Sequence, residues 1–332
     1  MNFEYYDLQY FIVFKNCELF FFVLLFELLD ENDFVYYNSF LYLDAMKAIK
    51  IIECPRDAMQ GIKSFIPTER KVAYIQSLLR VGFDSIDFGS FVSAKAIPQM
   101  QDTAEVLGQL DLSQTKSKLL AIIANTQGAT LASQHNAIQY LGFPFSISEN
   151  FQMRNTHKTI AESLVTLQEI LNIADKTNKE VVAYLSMGFG NPYGDPWNVE
   201  IVAQWTEKLA AMGVKILSLS DTVGSSTPDV IQYLFSNLIP QYPQIEFGAH
   251  LHTTPDKWFE KIDAAYKGGC HRFDGAIQGF GGCPMATDNL TGNMPTEKLL
   301  SYFTVQKGNT NCSPMSFESA YNEASKLFGE FH

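Results

Sequence analysis

Several features that would place this chain in a common class are missing from it. Its 332 residues include five cysteines, and no two of them form a C-x-x-C pair, which argues against a disulfide framework and a thiolate zinc site. A basic excess is also missing, because 24 Lys and Arg face 36 Asp and Glu for a net charge of -12. That charge argues against nucleic acid or an anionic membrane as the partner. We therefore expect a small-molecule ligand and a reducing, cytoplasmic setting.

Long apolar runs and targeting signals are missing as well. The longest apolar run near the N-terminus, residues 19–26, has only eight residues, whereas a transmembrane helix needs about 20. The first residues contain neither the basic region of a signal peptide nor the arginines of a mitochondrial transit peptide. The sequence therefore predicts neither a membrane anchor nor a cleaved leader.

Eight short β-rich runs alternate with amphipathic helices from residue 47 onward. One helix has a clear start signal, with Thr227 as N-cap and Pro228 at the first helical position, and Thr254-Pro255 repeats the pattern. Eight such units in about 250 residues are typical of a (β/α)8 TIM barrel. A doubly wound open sheet is the alternative, but no G-x-G-x-x-G follows any run. The predicted strands are residues 49–53, 85–89, 119–124, 137–141, 181–186, 216–220, 245–250 and 272–277.

Residues 1–45 differ from this pattern in composition. They contain 15 aromatic residues, eight acidic residues and one basic residue, with no glycine and no proline. The rest of the chain has ordinary globular composition. We expect an N-terminal extension unrelated to the barrel, either without regular structure or derived from a misassigned start site upstream of Met46. The barrel domain, with C-terminal helices, is expected at residues 46–332.

Four oxygen and nitrogen donors follow the predicted strands at the end where barrels have their active sites. The H-x-H spacing of His250 and His252 places both imidazoles on one face of a strand. Asp57 would add a carboxylate and Asn293 an amide oxygen, a set that suits Mg²⁺ or Mn²⁺. Alone, each has a structural explanation: a core histidine beside a solvent histidine, a cap at Asp57, a turn residue at Asn293. Their common location favours a metal site.

Two further residues have the chemistry of catalysis. Arg56 precedes the candidate metal carboxylate, and an arginine there can stabilise negative charge on a carbonyl oxygen, as an enolate requires. Its structural alternative is an ordinary salt bridge. The loop 279–284, G-F-G-G-C-P, has three glycines and carries Cys283 near its end. Such a loop can close over a substrate, and the thiol could then transfer a proton.

Six short motifs resemble those of the hydroxymethylglutaryl-CoA lyases, which belong to the metal-dependent lyase and synthase barrels. The similarity runs from about residue 49 to residue 300, and the glycine-rich cysteine loop is its most specific part. The arginine-aspartate pair and H-x-H also occur in the similar isopropylmalate and homocitrate synthases, which usually continue into a regulatory domain that 332 residues cannot hold. The motifs are P-R-D-A-M-Q (55–60), S-F-V-S-A-K (90–95) with P-Q-M (98–100), S-D-T-V-G (220–224), H-L-H (250–252), G-F-G-G-C-P (279–284) and G-N (292–293).

The resemblance implies cleavage of 3-hydroxy-3-methylglutaryl-CoA to acetoacetate and acetyl-CoA with a divalent cation, Mg²⁺ or Mn²⁺. It implies that Asp57, His250, His252 and Asn293 bind the cation. Arg56 would polarise the thioester carbonyl, and His250 or a carboxylate near the metal would be the base. Cys283 or a histidine would return a proton to the enolate carbon. Asp221 matches an active-site acid of the family, whereas Asp87 stands where the family commonly has glutamate and is one methylene shorter.

Two other functions compete with this one. A condensing synthase would form a carbon-carbon bond from acetyl-CoA and an oxo acid, and the G-G-C-P loop argues against it. A catalytically silent barrel would serve as a binding module, but Arg56, Asp57, His250 and His252 are all retained. The expected partner is a small acyl-CoA, without nucleic acid or membrane, and we expect a homodimer because exposed barrel helices often pair.

Overall fold

The computed structural model describes residues 48–282 and 291–331. Within them each of eight parallel strands pairs with the next, and β8 pairs with β1, which closes the sheet into a barrel. The predicted (β/α)8 TIM barrel is thereby confirmed. The predicted extension at residues 1–45 lies outside the described residues. The strands are β1 Lys50–Glu53, β2 Ser85–Ser90, β3 Lys118–Ile122, β4 Ile138–Ser146, β5 Glu180–Ser186, β6 Ile216–Asp221, β7 Glu246–Leu251 and β8 Arg272–Gly275.

Helices follow the strands and cover the outside of the barrel, and local sequence signals begin several of them. Thr227 accepts a hydrogen bond from the backbone N–H of Val230, as predicted for the helix that starts at Pro228. Thr159 and Glu162 form a capping box at the longest helix between two strands. The helices are α1 Pro55–Gln60, α2 Thr68–Leu79, α3 Thr103–Gln109, α4 Thr126–Ser133, α5 Glu149–Thr156, α6 Ile160–Lys176, α7 Val199–Ala211, α8 Pro228–Gln241, α9 Trp258–Lys267, α10 Thr296–Val305 and α11 Pro314–Phe331.

Two predicted boundaries were wrong by three residues or more. The helix after β7 begins at Trp258 and not at Pro255, because the Thr254 hydroxyl donates to the Asp256 carboxylate and does not cap a helical N–H. Strand β4 continues to Ser146, five residues beyond its predicted end. Gly142 lies inside this extension and packs closely, since a Cβ there would lie 2.5 Å from Ile122 Cδ1.

The core has two parts, as a closed barrel requires. A large apolar cluster fills the space between the strands and the surrounding helices. A smaller cluster, which includes Leu120, Tyr140, Val182 and Tyr184, comes from alternate residues that face into the barrel. The barrel interior is polar at the carboxyl ends of the strands, and the candidate functional site lies at that end. Among the residues that the structure describes, no helix combines the length and the apolar character that crossing a membrane requires.

Candidate metal centre and active site

Helix α1 places two charged side chains directly above the end of β1. Pro55 occupies its first turn, so the chain turns into a helix immediately after the strand. Arg56 and Asp57 follow within that turn and are both buried, with 8% and 6% of their surface exposed. Two charges at such low exposure need partners, because transfer of a charge out of water is costly without them.

The Arg56 guanidinium is held by three acceptors. Its Nε and Nη2 donate to the Asp87 carboxylate at 3.0 and 2.5 Å, and its Nη1 donates to Asp57 Oδ1 at 2.9 Å and to Gln60 Oε1 at 2.8 Å. A guanidinium has five N–H groups. Among the described residues these bonds use all of them except one on Nη2. Arg56 also lines the cavity at this end of the barrel.

Asp57 lies at the centre of the donor set predicted from the sequence. One donor atom from each of Asp57, His250 and His252 lies within 4.8 Å of the other two. Burial opposes ionisation of Asp57, but Arg56 and the two histidines, together with the Asn293 amide, hold the pKa of its carboxyl below the ordinary value. The carboxylate is therefore charged near neutral pH, as a cation ligand must be.

His250 is oriented by a carboxylate that sequence reasoning missed. Its Nδ1 lies 3.1 Å from Oδ2 of Asp274, a buried residue on β8. Burial disfavours the charged imidazole, but the hydrogen bond and charge of Asp274 raise the pKa of His250 above its ordinary value. Because a carboxylate accepts, Nδ1 carries the proton and Nε2 keeps its lone pair in the neutral ring.

His252 is oriented by a backbone carbonyl. Its Nδ1 lies 3.0 Å from the carbonyl oxygen of Thr291, which can only accept, so this ring also leaves Nε2 unprotonated. Burial and the nearby His250 lower the pKa of His252 to about 4. The ring is therefore neutral at physiological pH. Second partners of this kind commonly hold metal-binding histidines in one tautomer.

Asn293 closes the predicted donor set. Its Nδ2 donates to Asp57 Oδ2 at 2.7 Å and to the Phe280 carbonyl at 2.9 Å. Its backbone forms an isolated bridge with His252. The structure therefore brings the amide of Asn293, the Asp57 carboxylate and the two imidazoles to one place, although they are spread over 237 positions of the sequence.

Asp87 and Asp221, the two other acidic residues predicted for the site, do not belong to the donor set. Asp87 lies on β2 beneath Arg56, and burial raises the pKa of its carboxyl to about 6 despite that pairing. Asp221 ends β6, where its carboxylate accepts from Ser226 and from Lys261. Neither carboxylate is among the described residues that line the cavity. Asp87 and Asp221 therefore contact side chains near the cavity but do not line the cavity itself.

The glycine-rich loop begins against the donor set. A Cβ on Gly281 would lie 2.7 Å from both the Asp57 carbonyl oxygen and Asn293 Nδ2, and its φ is +98°. Only glycine permits this approach and this conformation. Cys283, predicted on this loop, lies outside the described residues, so its role stays a prediction.

A cavity opens beside the donor set. Among the described residues it is lined by Arg56, Asp57, Gln60, His250 and His252 on the side of the charged groups. The rest of the wall combines apolar and small polar side chains, a lining typical of small-molecule sites. These residues include Val92, Ile97, Ile122, Phe151, Ser186 and Thr222.

A divalent cation fits these residues. The two imidazoles each present an unprotonated Nε2, the Asp57 carboxylate is charged, and both rings are fixed by hydrogen bonds on the opposite nitrogen. Mixed oxygen and imidazole donors suit a six-coordinate cation with positions left for a chelating ligand.

Sequence reasoning missed three residues that hydrogen-bond members of the donor set: Asp274, Gln60 and Lys261. Gln60 Nε2 donates to Asp57 Oδ1 at 2.6 Å. The two residues are three apart on a helix, a spacing that could have predicted their contact. Asp274 sits between Phe273 and Gly275, and strand alternation could have placed it inside the barrel. Lys261 had no signal, because it lies on a helix among ordinary charged residues.

A comparison with protein-family models gives one description for this chain. The model of the HMGL-like family matches residues 48–322. The match covers the barrel strands, the donor set, helix α10 and the first half of helix α11.

Characterised relatives and solved structures agree with that match. A Bacillus subtilis hydroxymethylglutaryl-CoA lyase is 32% identical over 246 residues, 74% of this chain and 81% of its own. A bovine mitochondrial hydroxymethylglutaryl-CoA lyase is 33% identical over 257 residues, 76% of this chain and 78% of its own. The structure of an Acinetobacter baumannii HMG-CoA lyase in complex with coenzyme A and 3-methylmalate superimposes with a TM-score of 0.78. Its sequence is 28% identical, and the match covers 85% of this chain and 92% of that one.

Proposed function

The chain belongs to the HMGL-like family, and we propose that it is a lyase that cleaves 3-hydroxy-3-methylglutaryl-CoA to acetoacetate and acetyl-CoA. The observation that carries this function is the donor set at the barrel end. Asp57, His250 and His252 converge there beside a cavity that Arg56 also lines. Relatives that bear the lyase name cover about three quarters of the chain, which supports the same reaction.

We assign the cation to Asp57, His250 and His252, with the amide oxygen of Asn293 as a fourth ligand. Mg²⁺ or Mn²⁺ is the proposed ion, since the donors are oxygen and imidazole nitrogen. When bound, such a cation acts as a Lewis acid that lowers the pKa of a coordinated hydroxyl. Asp274 and the Thr291 carbonyl hold the two imidazole rings so that Nε2 of each is free for this role.

Arg56 is proposed to act on the thioester. A carboxylate near the cation takes the C3 hydroxyl proton, since Nε2 of His250 is assigned to the cation. The bond between C2 and C3 then breaks, so that C3 becomes the ketone of acetoacetate. The bonding electrons stay on C2 as the enolate of acetyl-CoA. The free N–H on Nη2 of Arg56 donates to the thioester oxygen, where negative charge develops, and Asp87 keeps the guanidinium in place.

Cys283 is proposed to return the proton to C2. The glycine-rich loop begins in contact with Asp57 and Asn293, and Cys283 follows Gly281 by two residues on this loop. A thiol carried there is suited to protonate the enolate carbon, and closure of the loop would keep water away from that carbon.

The proposed substrate is an acyl-CoA. The similar Acinetobacter baumannii lyase was solved with coenzyme A and 3-methylmalate. In this chain the apolar wall at Val92, Ile97 and Ile122 suits the methyl and methylene groups of the acyl part, whereas Ser186 and Thr222 can bind its oxygens. A homodimer in the cytoplasm remains our proposal, and light scattering of the purified protein measures the oligomeric state.

The nearest alternative is a condensing synthase, and one experiment separates the two. The purified protein is incubated with Mn²⁺ and 3-hydroxy-3-methylglutaryl-CoA, and separately with Mn²⁺, acetyl-CoA and a panel of oxo acids. We expect acetyl-CoA and acetoacetate from the first mixture and no free coenzyme A from the second. Release of free coenzyme A from the second mixture, with the hydroxymethylglutaryl thioester left intact, would establish the synthase.

A further inference from the structure

Lys261 is a buried lysine on α9 that no part of the proposed reaction uses. Its side chain is 1% exposed, and its ammonium makes three hydrogen bonds. It donates to Asp221 Oδ2 at 2.8 Å, to the Gly224 carbonyl at 3.1 Å and to the His252 carbonyl at 2.8 Å. An ammonium has three N–H groups, so all of them are used.

These three acceptors come from two different strand ends. Asp221 and Gly224 lie at the end of β6 and in the loop after it, and His252 directly follows β7. Asp221 is itself fixed, since it also accepts from the Ser226 backbone N–H at 3.1 Å and from the Ser226 hydroxyl. Lys261 therefore joins the end of β6 and the loop after it to the backbone of a residue in the donor set.

The imidazole of His252 is tied to the same loop from its other side. Its Nδ1 donates to the Thr291 carbonyl at 3.0 Å, and the Thr291 hydroxyl donates to the Val223 carbonyl at 3.3 Å. Thr291 also packs tightly on Gly224, where a Cβ would lie 2.7 Å from its methyl carbon. Lys261, Gly224, Thr291 and His252 thus form a closed ring of contacts.

We infer that Lys261 is a positioning residue for the cation site, paired with Asp221, and that it acts by holding both the backbone and the ring of His252. The inference rests on the cation site of the proposed function but not on the identity of the substrate. Asp221 is then part of the support for His252. Its carboxylate is 1% exposed and is not among the described residues that line the cavity.

The chain contains a matched control for this pair. Lys71 and Asp102 form another buried ion pair at 2.7 Å, with side chains 3% and 7% exposed, and Lys71 also donates to the backbone carbonyl of Gln99. Removal of both charges of a buried pair is tolerated better than removal of one, because no unpaired charge stays behind. The test therefore compares the double variants Asp221→Asn/Lys261→Met and Asp102→Asn/Lys71→Met.

Mn²⁺ affinity is measured on both variants by calorimetry without substrate. We expect Asp221→Asn/Lys261→Met to raise the Mn²⁺ dissociation constant at least about tenfold, as loss of supporting contacts does at metal sites, and the control to stay within about twofold of the parent. Nitrogen NMR of the metal-free protein should show His252 as a single tautomer with a proton on Nδ1 in parent and control, and a mixture of tautomers in Asp221→Asn/Lys261→Met.

Unchanged Mn²⁺ affinity in Asp221→Asn/Lys261→Met, or an equal loss in the control, would overturn the inference. A parent protein that binds no Mn²⁺ would overturn it too. If the double variant does not fold, Lys261→Gln is measured in the same way, because it removes the charge and shortens the side chain but keeps a donor. A protein that shows the selective loss of Mn²⁺ affinity but does not cleave the hydroxymethylglutaryl thioester would refute the proposed function alone.

Discussion

His252 and Cys283 are proposed to have separate roles, cation binding and proton transfer. We expect His252→Ala to raise the Mn²⁺ dissociation constant by about 100-fold or more, because a ligand is lost. Cys283→Ser should leave that constant within about twofold and lower turnover by about 100-fold, the usual size of a contribution from general acid catalysis. Calorimetry and a steady-state assay measure the two quantities. Equal loss of metal binding in both variants would contradict the separation.

Arg56 tests whether the shape of a side chain matters beyond its charge. Lysine at this position keeps a positive charge but lacks the fork that binds Asp87 through Nε and Nη2. Arg56→Lys should therefore lower turnover by about 100-fold, since a bidentate arginine is not replaced by a point charge. Arg70→Lys is the control, because Arg70 forms an exposed pair with Glu330. A steady-state assay in which Arg56→Lys equals the parent would remove Arg56 from the proposed reaction.

The residues that sequence reasoning identified are those whose chemistry stands out on its own. Arg56, Asp57, His250 and His252 were predicted from spacing and from their positions at strand ends, and the structure brings all four together. Lys261 could not be predicted, because its role depends on the depth at which α9 packs against the barrel. No local pattern in a sequence encodes that depth, and a lysine on a helix is ordinarily exposed.

At the scale of elements, one buried carboxylate joins β1 to the segment after β8 and to α10. Glu53 is fully buried and accepts from the Ile277 backbone N–H at 2.9 Å and from the Thr296 hydroxyl. Burial raises the pKa of Glu53 to about 8, although these two hydrogen bonds act in the opposite direction. The folded protein therefore keeps a proton on Glu53 at pH values where the unfolded chain has lost it.

The raised pKa of Glu53 predicts that the free energy of unfolding falls as the pH rises. Between the ordinary pKa near 4.5 and about 8, the native state binds more protons at Glu53 than the unfolded chain, so its contribution to stability falls as pH rises. Glu53→Gln removes this dependence. Urea unfolding from pH 5 to 8 should show the parent losing on the order of a few kcal/mol relative to the variant. Parallel profiles of the two proteins would show that Glu53 titrates normally.

Secondary structure was predictable where one local signal dominated. Thr227 and Pro228 begin α8 as expected, because a cap and a proline act on the first turn alone. The same residue types at Thr254 and Pro255 do not begin a helix. The Thr254 hydroxyl donates to Asp256, and the chain makes a turn before α9. Strand β4 extends beyond its predicted end because its pairing with β5 continues through Pro144 and Ser146. The sequence of one strand does not predict how far it pairs with its neighbour.

At the scale of the whole molecule, closure of the barrel creates the site. Asp57, just after β1, and His250 on β7 come together because β8 pairs with both of these strands and completes the ring. Cation binding should therefore stabilise the entire fold and not one loop. At a free Mn²⁺ concentration of 100 times the dissociation constant, linkage predicts a gain of about 2.7 kcal/mol in the free energy of unfolding.

Thermal unfolding with and without Mn²⁺ measures this gain. Asp57→Asn should lose most of it, because the charged ligand is replaced by a neutral amide of the same shape. Asp229→Asn, a change at an exposed position on α8, should keep it. An identical shift of the unfolding temperature in all three proteins would mean that Mn²⁺ binds elsewhere.

Metal-dependent cleavage is tested directly by product analysis with 3-hydroxy-3-methylglutaryl-CoA as substrate, before and after removal of metal from the protein. The purified protein is treated with EDTA, exchanged into metal-free buffer, and assayed with and without added Mn²⁺ or Mg²⁺. We expect equal amounts of acetoacetate and acetyl-CoA with either cation and neither product without a cation. Cleavage at an undiminished rate in the metal-free protein, or an intact thioester in the presence of both cations, would contradict it.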